Sequence, residues 1–415
     1  MKHRFALFIA LMVFSPDLLL AAAAPKFETT LVGEDAISFG TFQSNNQKVV
    51  RNERGVFMTH IRSRNEKYTA QQWRLSWSRD GGKSFTTLFE STDATNPPVL
   101  ETDSANNLYL AWPDFANHNT YVLRFLATEN YRTPHATVIP KSSAGKFAMM
   151  LDEPRQQICF LVHSGVFNRV SFDGKPLSQV RLNTRGSKAT MEYPLLSLDA
   201  NGVLHCAWTS LNVPIRRYWG IHHIQSSDCA VTWKNFAGQS LTLPVIADET
   251  GPSDRITLDD EFDVSTWLSS FLVKNGKAHF LYMARTKPPR QHHVRYDVVT
   301  SNREIDHQPE LRGEKLSLGG LDGFFSTRSK DPKSPLFCIS QQKGSTRIGC
   351  LRSDDNGQTW KDHALSEPFR QPYAIGGCRE ITPDGSIIGS FTDVTGEQNK
   401  GGAGGRVHFF RISAD

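Results

Sequence analysis

The octapeptide Ser353-Asp354-Asp355-Asn356-Gly357-Gln358-Thr359-Trp360 has two counterparts earlier in the chain, Ser78–Phe85 and Ser226–Trp233. Each copy reads serine, any residue, aspartate, any residue, glycine (alanine in the middle copy), two further residues and an aromatic residue. This order predicts a β-turn in which the aspartate caps backbone amides, the glycine takes a positive φ and the aromatic residue anchors the next strand. The three aspartates, Asp80, Asp228 and Asp355, are therefore expected to be structural.

A longer repeat runs through the whole chain and consists of a strand pattern, a polar turn and a second apolar strand pattern. Its seven copies are Val49–Ile61, Val99–Trp112, Phe147–His163, Leu195–Thr209, Trp267–Ala284, Phe324–Gln341 and Gly377–Val394. They start about 50 residues apart, which is the period of four-stranded propeller blades. The repeat predicts an all-β protein that forms a seven-bladed β-propeller, with segment 26–39 pairing against the last strands to close the ring.

The N-terminus has the pattern of a cleavable secretory signal peptide over residues 1–24. Lys2 and Arg4 precede an apolar run, and the small residues Ala21–Ala24 follow it. No later stretch has the roughly 18–20 apolar residues that a membrane-spanning helix needs. We expect a secreted or periplasmic, monomeric protein in which residues 25–415 form a single propeller domain.

The net charge and the cysteine positions bear on which partners, disulfides and metals the sequence predicts. The net charge of +5 is too small to suggest a nucleic-acid-binding protein. Cys338 and Cys350 lie at equal distance from Gly344, so a hairpin at that turn predicts a disulfide between them. No cysteine or histidine spacing indicates a transition-metal site, and no cofactor or membrane contact is expected.

Successive connections in a meander alternate between the two ends of a propeller, so the loops opposite the octapeptide turns share one face. Arginines are concentrated there: Arg62, Arg64, Arg185, Arg216, Arg217, Arg255, Arg285 and Arg290. Arginine suits bidentate recognition of carboxylate or sulfate, which indicates an acidic glycan or polysaccharide as partner. The alternative is a solvated rim in which the acidic run around Asp259 and Asp260 offsets the arginine charges.

The octapeptides resemble the Asp box, or BNR repeat, of sialidases and other β-propellers, and the segment from Tyr193 to His223 resembles secreted carbohydrate-active propellers. Sialidases have six blades, which is the second architecture considered. The resemblance implies three arginines around a carboxylate, a tyrosine–glutamate nucleophile and an acidic acid/base. Tyr373, Glu261 and Asp263 are the candidates for the last two roles, and the function implied is exo-glycoside hydrolysis of acidic glycans.

The chain also resembles seven-bladed polysaccharide lyases of the ulvan type, which cleave uronate-containing polymers by β-elimination. Such a lyase removes the proton next to the uronate carboxylate with histidine or tyrosine, while arginine stabilises the intermediate. His118, Tyr193, Arg216 and Arg217 are candidates for these roles. At the start of the second blade, where such lyases are expected to carry a histidine, this chain reads Thr95-Asn96-Pro97. A non-catalytic propeller that binds glycan or protein is the third alternative.

Overall fold

The structure, a computed structural model, describes residues 25–67, 70–94, 96–114, 116–142, 145–184, 189–246, 252–261, 263–305, 311–396 and 404–414. The predicted signal peptide and Arg185 lie outside these residues. Within them the chain is all-β, and its helical turns are the 3₁₀ segments Ala127–Glu129, Glu153–Arg155 and Asp259–Glu261. No helix of the described part is long and apolar enough to cross a membrane.

The described strands form seven antiparallel meanders, numbered here in chain order, and the first four lie in the N-terminal part of the chain. Meander 1 has strands Val49–Asn52, Gly55–Ser63, Gln71–Ser78 and Thr86–Glu90. Meander 2 has Val99–Thr102, Leu108–Asp114, Asn119–Phe125 and Pro134–Pro140. Meander 3 has Phe147–Asp152, Gln157–Val162, Val166–Ser171 and Pro176–Arg181. Meander 4 has Ala189–Leu198, Leu204–Asn212, Arg217–Ser226 and Trp233–Lys234, extended by Ser240–Leu241.

The remaining strands complete the set. Meander 5 has Thr266–Lys274, Lys277–Ala284, Arg290–Asp297 and Arg303–Ile305. Meander 6 has Ser317–Ser326, Leu336–Gln342, Ile348–Ser353 and Lys361–Leu365. Meander 7 has Pro372–Gly377, Ser386–Val394, Gly404–Ser413 and the N-terminal strand Phe27–Ile37. Four short strands lie between meanders or extend them: Asn183–Thr184, Val245–Ile246, Asp254–Arg255 and Leu311–Arg312.

Both faces of the inner strands are buried. In Gln157–Val162 of meander 3, Ile158 and Phe160 contribute to the hydrophobic cluster shared with meander 2. Cys159 and Leu161 contribute to the cluster shared with meander 4. Side chains alternate between the faces of a strand, so a run of consecutive apolar residues holds a meander between two neighbours.

Hydrophobic clusters join the meanders in a closed ring. Each cluster contains residues of two successive meanders, from 1 with 2 through 6 with 7. A further cluster, which includes Val49, Met58 and Phe409, joins meander 7 to meander 1. Sheets packed face to face around a ring are the architecture of a β-propeller, so the predicted all-β propeller fold is confirmed.

The first and last strands of the described residues meet in meander 7. Strand Phe27–Ile37 pairs antiparallel with Gly404–Ser413, from Phe27 opposite Ile412 to Ile37 opposite Gly404. One further pairing, between Ala36 and Arg62, connects this strand to meander 1. The first described strand therefore covers the outer edge of the last meander, as the sequence predicts, and leaves that edge paired rather than open.

The three octapeptide turns share one set of hydrogen bonds. In the third copy the Asp355 carboxylate accepts from the amides of Gln358 and Thr359 at 3.0 and 2.8 Å and from the Ser353 hydroxyl at 2.7 Å. Asp80 and Asp228 accept the equivalent bonds in their copies. The fifth residue of each octapeptide has a positive φ, including Ala230 at 64°. Each aspartate thus organises a local turn.

The aromatic residue that ends each octapeptide packs on the preceding meander of the ring. Phe85 contacts Phe409 of meander 7, with 5.3 Å between ring centroids. The same contact joins Trp233 to Phe167 at 5.9 Å and Trp360 to His293 at 5.4 Å. These turns therefore tie neighbouring meanders together on one face of the ring.

The predicted disulfide is wrong. Cys338 and Cys350 are both free thiols and lie on neighbouring strands of meander 6. Their register is offset by one residue, because Cys338 pairs with Leu351 and Cys350 with Ile339. Adjacent positions along a strand point to opposite faces, so Cys338 faces the cluster shared with meander 5 and Cys350 the one shared with meander 7.

Candidate functional site

Residues 40–48, called here the central segment, link the N-terminal strand to meander 1 and lie in the middle of the ring. Their side chains bond to meanders 2, 4, 6 and 7 and to the residues before meander 3. The partners are Thr41 with Thr392 and the Ala374 carbonyl, Gln43 with the Gly145 carbonyl, Ser44 with Asp322, Asn45 with the Pro194 carbonyl and Gln47 with the Leu100 carbonyl. Since most of these partners lie on first strands, the first strand of each meander is innermost.

The innermost strands of meanders 4 to 7 are all irregular where they pass the central segment. Register shifts occur between Glu192 and Leu195, Leu268 and Ser270, Leu318 and Gly323, and Tyr373 and Gly376. Within these bulges Tyr193 and Ala374 have positive φ values of 45° and 52°. Bulges re-aim side chains and are frequent beside active sites, so four successive bulges mark a built site.

A pocket forms where the four bulges face the central segment. The central segment contributes Phe42, Gln43, Ser44 and Asn45, and the bulged strands contribute Tyr193, Trp267, Leu268, Ser269, Leu321, Asp322 and Tyr373. Tyr193 and Tyr373, predicted from sequence as catalytic candidates in different blades, therefore lie in the same pocket. We call it the central pocket.

Aromatic rings and two cations form a cluster, called here the wall, that reaches the central pocket through Tyr193 and Trp267. The rings of Tyr193 and Tyr218 lie 5.4 Å apart, and those of Tyr218 and Trp267 lie 5.3 Å apart. Lys146 Nζ lies 4.8 Å from the centroid of Tyr193, and the Arg285 guanidinium lies 4.7 Å from that of Trp267. Cation–π contacts of this kind hold both positive charges in place beside the pocket.

Lys146 also connects the wall to a carboxylate and a histidine. Its ammonium pairs with Glu192 at 2.6 Å, and its backbone amide donates to Nδ1 of His163 at 3.2 Å. Burial lowers the pKa of His163, so the imidazole is neutral near pH 7. With Nδ1 accepting a hydrogen bond, the proton of the neutral ring resides on Nε2, which makes Nε2 a hydrogen-bond donor.

The two tyrosines of the central pocket are strong candidates for proton donors. Burial, followed by the influence of Tyr218, raises the pKa of Tyr193. Burial and the charge of Asp322 raise the pKa of Tyr373. Both side chains are therefore neutral phenols at physiological pH, and a phenol beside a reacting oxygen is suited to general acid catalysis.

A carboxylate that lines the central pocket, Asp322, is electrostatically coupled to a buried lysine, Lys48. Asp322 accepts hydrogen bonds from the Ser44 hydroxyl at 2.6 Å and the Ala374 amide at 2.9 Å. Burial raises the pKa of Asp322, and Ser44 and Lys48 oppose that rise. Burial also lowers the pKa of Lys48 to about 7, although Asp322 favours its charged form. The charge on Lys48, next to Asp322, therefore changes with pH around neutrality.

Three predicted catalytic residues lie in other surroundings. Glu261 is fully buried and accepts from the Tyr282 hydroxyl at 2.7 Å, with His292 on its other oxygen. The Asp263 side chain is 98% exposed and lies 3.9 Å from Arg217. His118 is exposed in the turn between the second and third strands of meander 2. Glu261 therefore pairs with Tyr282 rather than with Tyr373, so the predicted nucleophile pair is not assembled.

The predicted arginines do not converge as a group. Four of them pair with acidic residues that lie close to them in the fold: Arg62 with Asp35 and Glu90, Arg217 with Asp263, Arg255 with Asp259, and Arg290 with Asp260. Arg64 donates to the Thr92 carbonyl, Arg216 is exposed, and Arg185 lies outside the described residues. Arg285 is the arginine of the set that adjoins the central pocket, through Trp267.

Sequence reasoning missed Lys48, Lys146, Trp267 and Asp322. One signal was present for Asp322, because a carboxylate interrupts the otherwise neutral strand Ser317–Ser326. The other residues are single polar or aromatic side chains in links and strands, where nothing in the local pattern separates them from ordinary surface positions. Their proximity follows from the bulges and the central segment.

No protein-family model matches the sequence, and no curated protein matches it. Solved structures similar to this chain include a PL25 ulvan lyase, with a TM-score of 0.61 and 12% identity over 91% of this chain and 95% of that one. The polysaccharide lyase Uly1 matches with a TM-score of 0.58 and 11% identity over 94% and 100% of the two chains. The α-L-arabinanase of Penicillium chrysogenum, complexed with arabinobiose, matches with 0.50 and 10% over 94% and 99%. At these identities the similarity shows the propeller fold alone.

Proposed function

We propose that the protein is a secreted or periplasmic, seven-bladed propeller that binds an acidic polysaccharide in the central pocket and cleaves it by β-elimination. The observation that carries this proposal is that Tyr193 and Tyr373 line one pocket built by bulged strands, with Lys146 and Arg285 placed against two of its lining rings, those of Tyr193 and Trp267. The similar structures support the choice of substrate, since two of them are polysaccharide lyases.

The cations of the wall supply recognition of a uronate. The Arg285 guanidinium, held over Trp267, presents several donors to a carboxylate. The Lys146 ammonium, which pairs with Glu192, lies over the ring of Tyr193 and adds a further donor. Neutralising the carboxylate in this way stabilises the negative charge that develops when the adjacent carbon loses its proton.

Tyr193 supplies the proton for the leaving oxygen. Its buried phenol is protonated at neutral pH, as a general acid requires. Its positive φ of 45° and its place in the bulge of meander 4 hold the ring in the central pocket. Protonating the glycosidic oxygen as the C4–O bond breaks yields a new non-reducing end with an unsaturated uronate.

Sialidase-like hydrolysis has weaker support, because Glu261 pairs with Tyr282 and four of the eight predicted arginines pair with acidic residues. One observation favours a hydrolase in general: Asp322 lines the central pocket and Glu192 pairs with Lys146 beside it. Glycosidases work with a pair of carboxyl groups. Hydrolysis at these carboxylates is therefore the second candidate.

The test is product analysis with a panel of uronate-containing, sulfated, sialylated and neutral glycans. We expect release of an unsaturated uronate that absorbs in the ultraviolet, and a loss of at least about 100-fold in rate for Tyr193→Phe at unchanged affinity. Tyr121→Phe, a tyrosine stacked on Trp112 in meander 2, is the matched control. Saturated products would indicate hydrolysis, and binding without product would indicate a non-catalytic propeller.

A further inference from the structure

The elimination step proposed above needs a group that accepts a proton, and the residues already assigned to it donate protons. Tyr193 and Tyr373 are neutral phenols, and the ring nitrogen of His163 that does not bond to Lys146 carries a proton. Lys146 is paired with Glu192. The acceptor must therefore be sought among the other side chains that line the central pocket.

We infer that Asp322 is the residue that accepts the proton in the central pocket. This assignment rests on the proposed function and adds a catalytic residue to it. Asp322 lines the same pocket as Tyr193, Tyr373 and Trp267. It stands in the bulge between Leu318 and Gly323 of the innermost strand of meander 6.

The Asp322 carboxylate is oriented by donors on both oxygens. The Ser44 hydroxyl bonds to Oδ1 at 2.6 Å and the Ala374 amide to Oδ2 at 2.9 Å. Its backbone carbonyl accepts from the Ser340 hydroxyl, which anchors the bulge. Each carboxylate oxygen retains a further lone pair, so the group can still accept a proton from a ligand.

Asp322 has features that a purely structural carboxylate does not need. It forms no ion pair with a described arginine or lysine, because Lys48, whose charge opposes the rise in its pKa, donates instead to the Gln43 and Asn46 carbonyls. Burying a carboxylate without a direct cation destabilises a fold, so the position indicates a functional demand. Its raised pKa brings the carboxylate closer to the range in which it exchanges protons at neutral pH.

The step balances as follows. The Asp322 carboxylate takes the proton from C5 of the bound uronate, and the electrons of that C–H bond form the C4–C5 double bond as the C4–O bond breaks. The leaving oxygen takes the phenol proton of Tyr193. Transfer of a proton from Asp322 to the Tyr193 phenolate through water then restores both groups.

Asp322→Asn is the direct test. We expect kcat to fall at least about 100-fold, while affinity for the acidic oligosaccharide, followed by tryptophan fluorescence, changes less than about threefold. Asp362→Asn is the matched control, since Asp362 likewise accepts hydrogen bonds on both carboxylate oxygens, in its case from the amides of Lys315 and Leu316, but lies on the outermost strand of meander 6. The control variant should keep wild-type activity.

Two measurements keep the assignment testable if Asp322→Asn folds poorly. Ser44→Ala removes a bond that lowers the pKa of Asp322, so the acid limb of kcat/KM should move to higher pH. Lys48 and Tyr373 also face Asp322 and remain in this variant. In Asp322→Ala, added formate should restore part of the lost rate, because a small carboxylate can occupy the vacated position.

The outcomes separate the two proposals. Unsaturated product that Asp322→Asn still releases at the wild-type rate overturns the assignment of Asp322 alone. Saturated product whose release depends on Asp322 overturns the elimination mechanism but keeps Asp322 as the proton acceptor, in that case from water. Binding with no product from wild-type protein overturns both. The assignment is also overturned if Ser44→Ala does not shift the acid limb of the kcat/KM pH profile and formate does not restore activity to Asp322→Ala.

Discussion

The ring of Phe27 stacks on that of Phe410, with 5.0 Å between their centroids. This contact joins the first described strand, Phe27–Ile37, to the last, Gly404–Ser413. Phe27→Ala should lower the free energy of unfolding by about 1–2 kcal/mol, because a partly buried aromatic contact is lost from the strand that closes meander 7. Leu31→Ala in the same strand removes a side chain that is 42% exposed and should cost less than about 0.5 kcal/mol. Urea titrations of both variants measure the difference. Equal losses of unfolding free energy in the two variants would show that the Phe27 ring does not stabilise the pairing of the first and last strands.

Asp355→Ala should lower stability by about 1–2 kcal/mol and leave catalysis unchanged, because Asp355 organises an octapeptide turn. The neighbouring Asp354→Ala is the control, since Asp354 forms exposed ion pairs with Arg352 and Lys361. Thermal unfolding and initial rates measure the two effects. Lost activity at an unchanged melting temperature would place Asp355 in the site instead.

Asp228 makes stability depend on pH at the acid end. Burial acts to raise its pKa, but bonds from Thr232 and Ser226 hold it at about 2, below the ordinary 3.8. A lowered carboxyl pKa stabilises the fold above the ordinary value, and that contribution is lost as pH falls from 3.8 towards about 2. Stability of Asp228→Asn should therefore change less than that of wild type in this window. If the free energies of unfolding of wild type and Asp228→Asn fell equally between pH 3.8 and about 2, the prediction would be contradicted.

Arg285→Ala should weaken binding of an acidic oligosaccharide about tenfold, which corresponds to about 1.4 kcal/mol, since Arg285 adjoins the central pocket. Arg217→Ala removes an arginine already bonded to Asp263 and should change the affinity little. Calorimetric titrations at 0.05 and 0.5 M salt would measure both, with weaker binding at high salt because charges are screened. A larger effect of Arg217→Ala would move the anion site to the loop of meander 4.

Reducing agents should leave the melting temperature unchanged, because all six cysteines are free. In native protein a thiol reagent should modify mainly Cys229, which is the half-buried one, and the other thiols should react only after unfolding. Burial raises the pKa of Cys159 and of Cys378 to about 12, which makes both unreactive. Counting modified thiols before and after adding denaturant tests this. Fewer than six thiols in unfolded, unreduced protein would indicate a disulfide.

The sequence by itself determined the propeller, its repeat and its closure. The octapeptide turns are complete within eight residues, so Asp355 and its partners can be recognised from spacing alone. Strand patterns are likewise local, since alternation along a few residues decides which faces are buried. The pairing of Phe27–Ile37 with the last strand follows from the need to cover an open edge.

Only the tertiary structure decided the central pocket and the state of the cysteines. Ser44 and Asp322 are 278 positions apart in the chain, and they meet because the central segment crosses the ring. A bulge changes which way a side chain points without changing the strand pattern, so Tyr193 could be predicted as a candidate but not placed. A one-residue offset in pairing likewise sends Cys338 and Cys350 to opposite faces, because side chains alternate with a period of two.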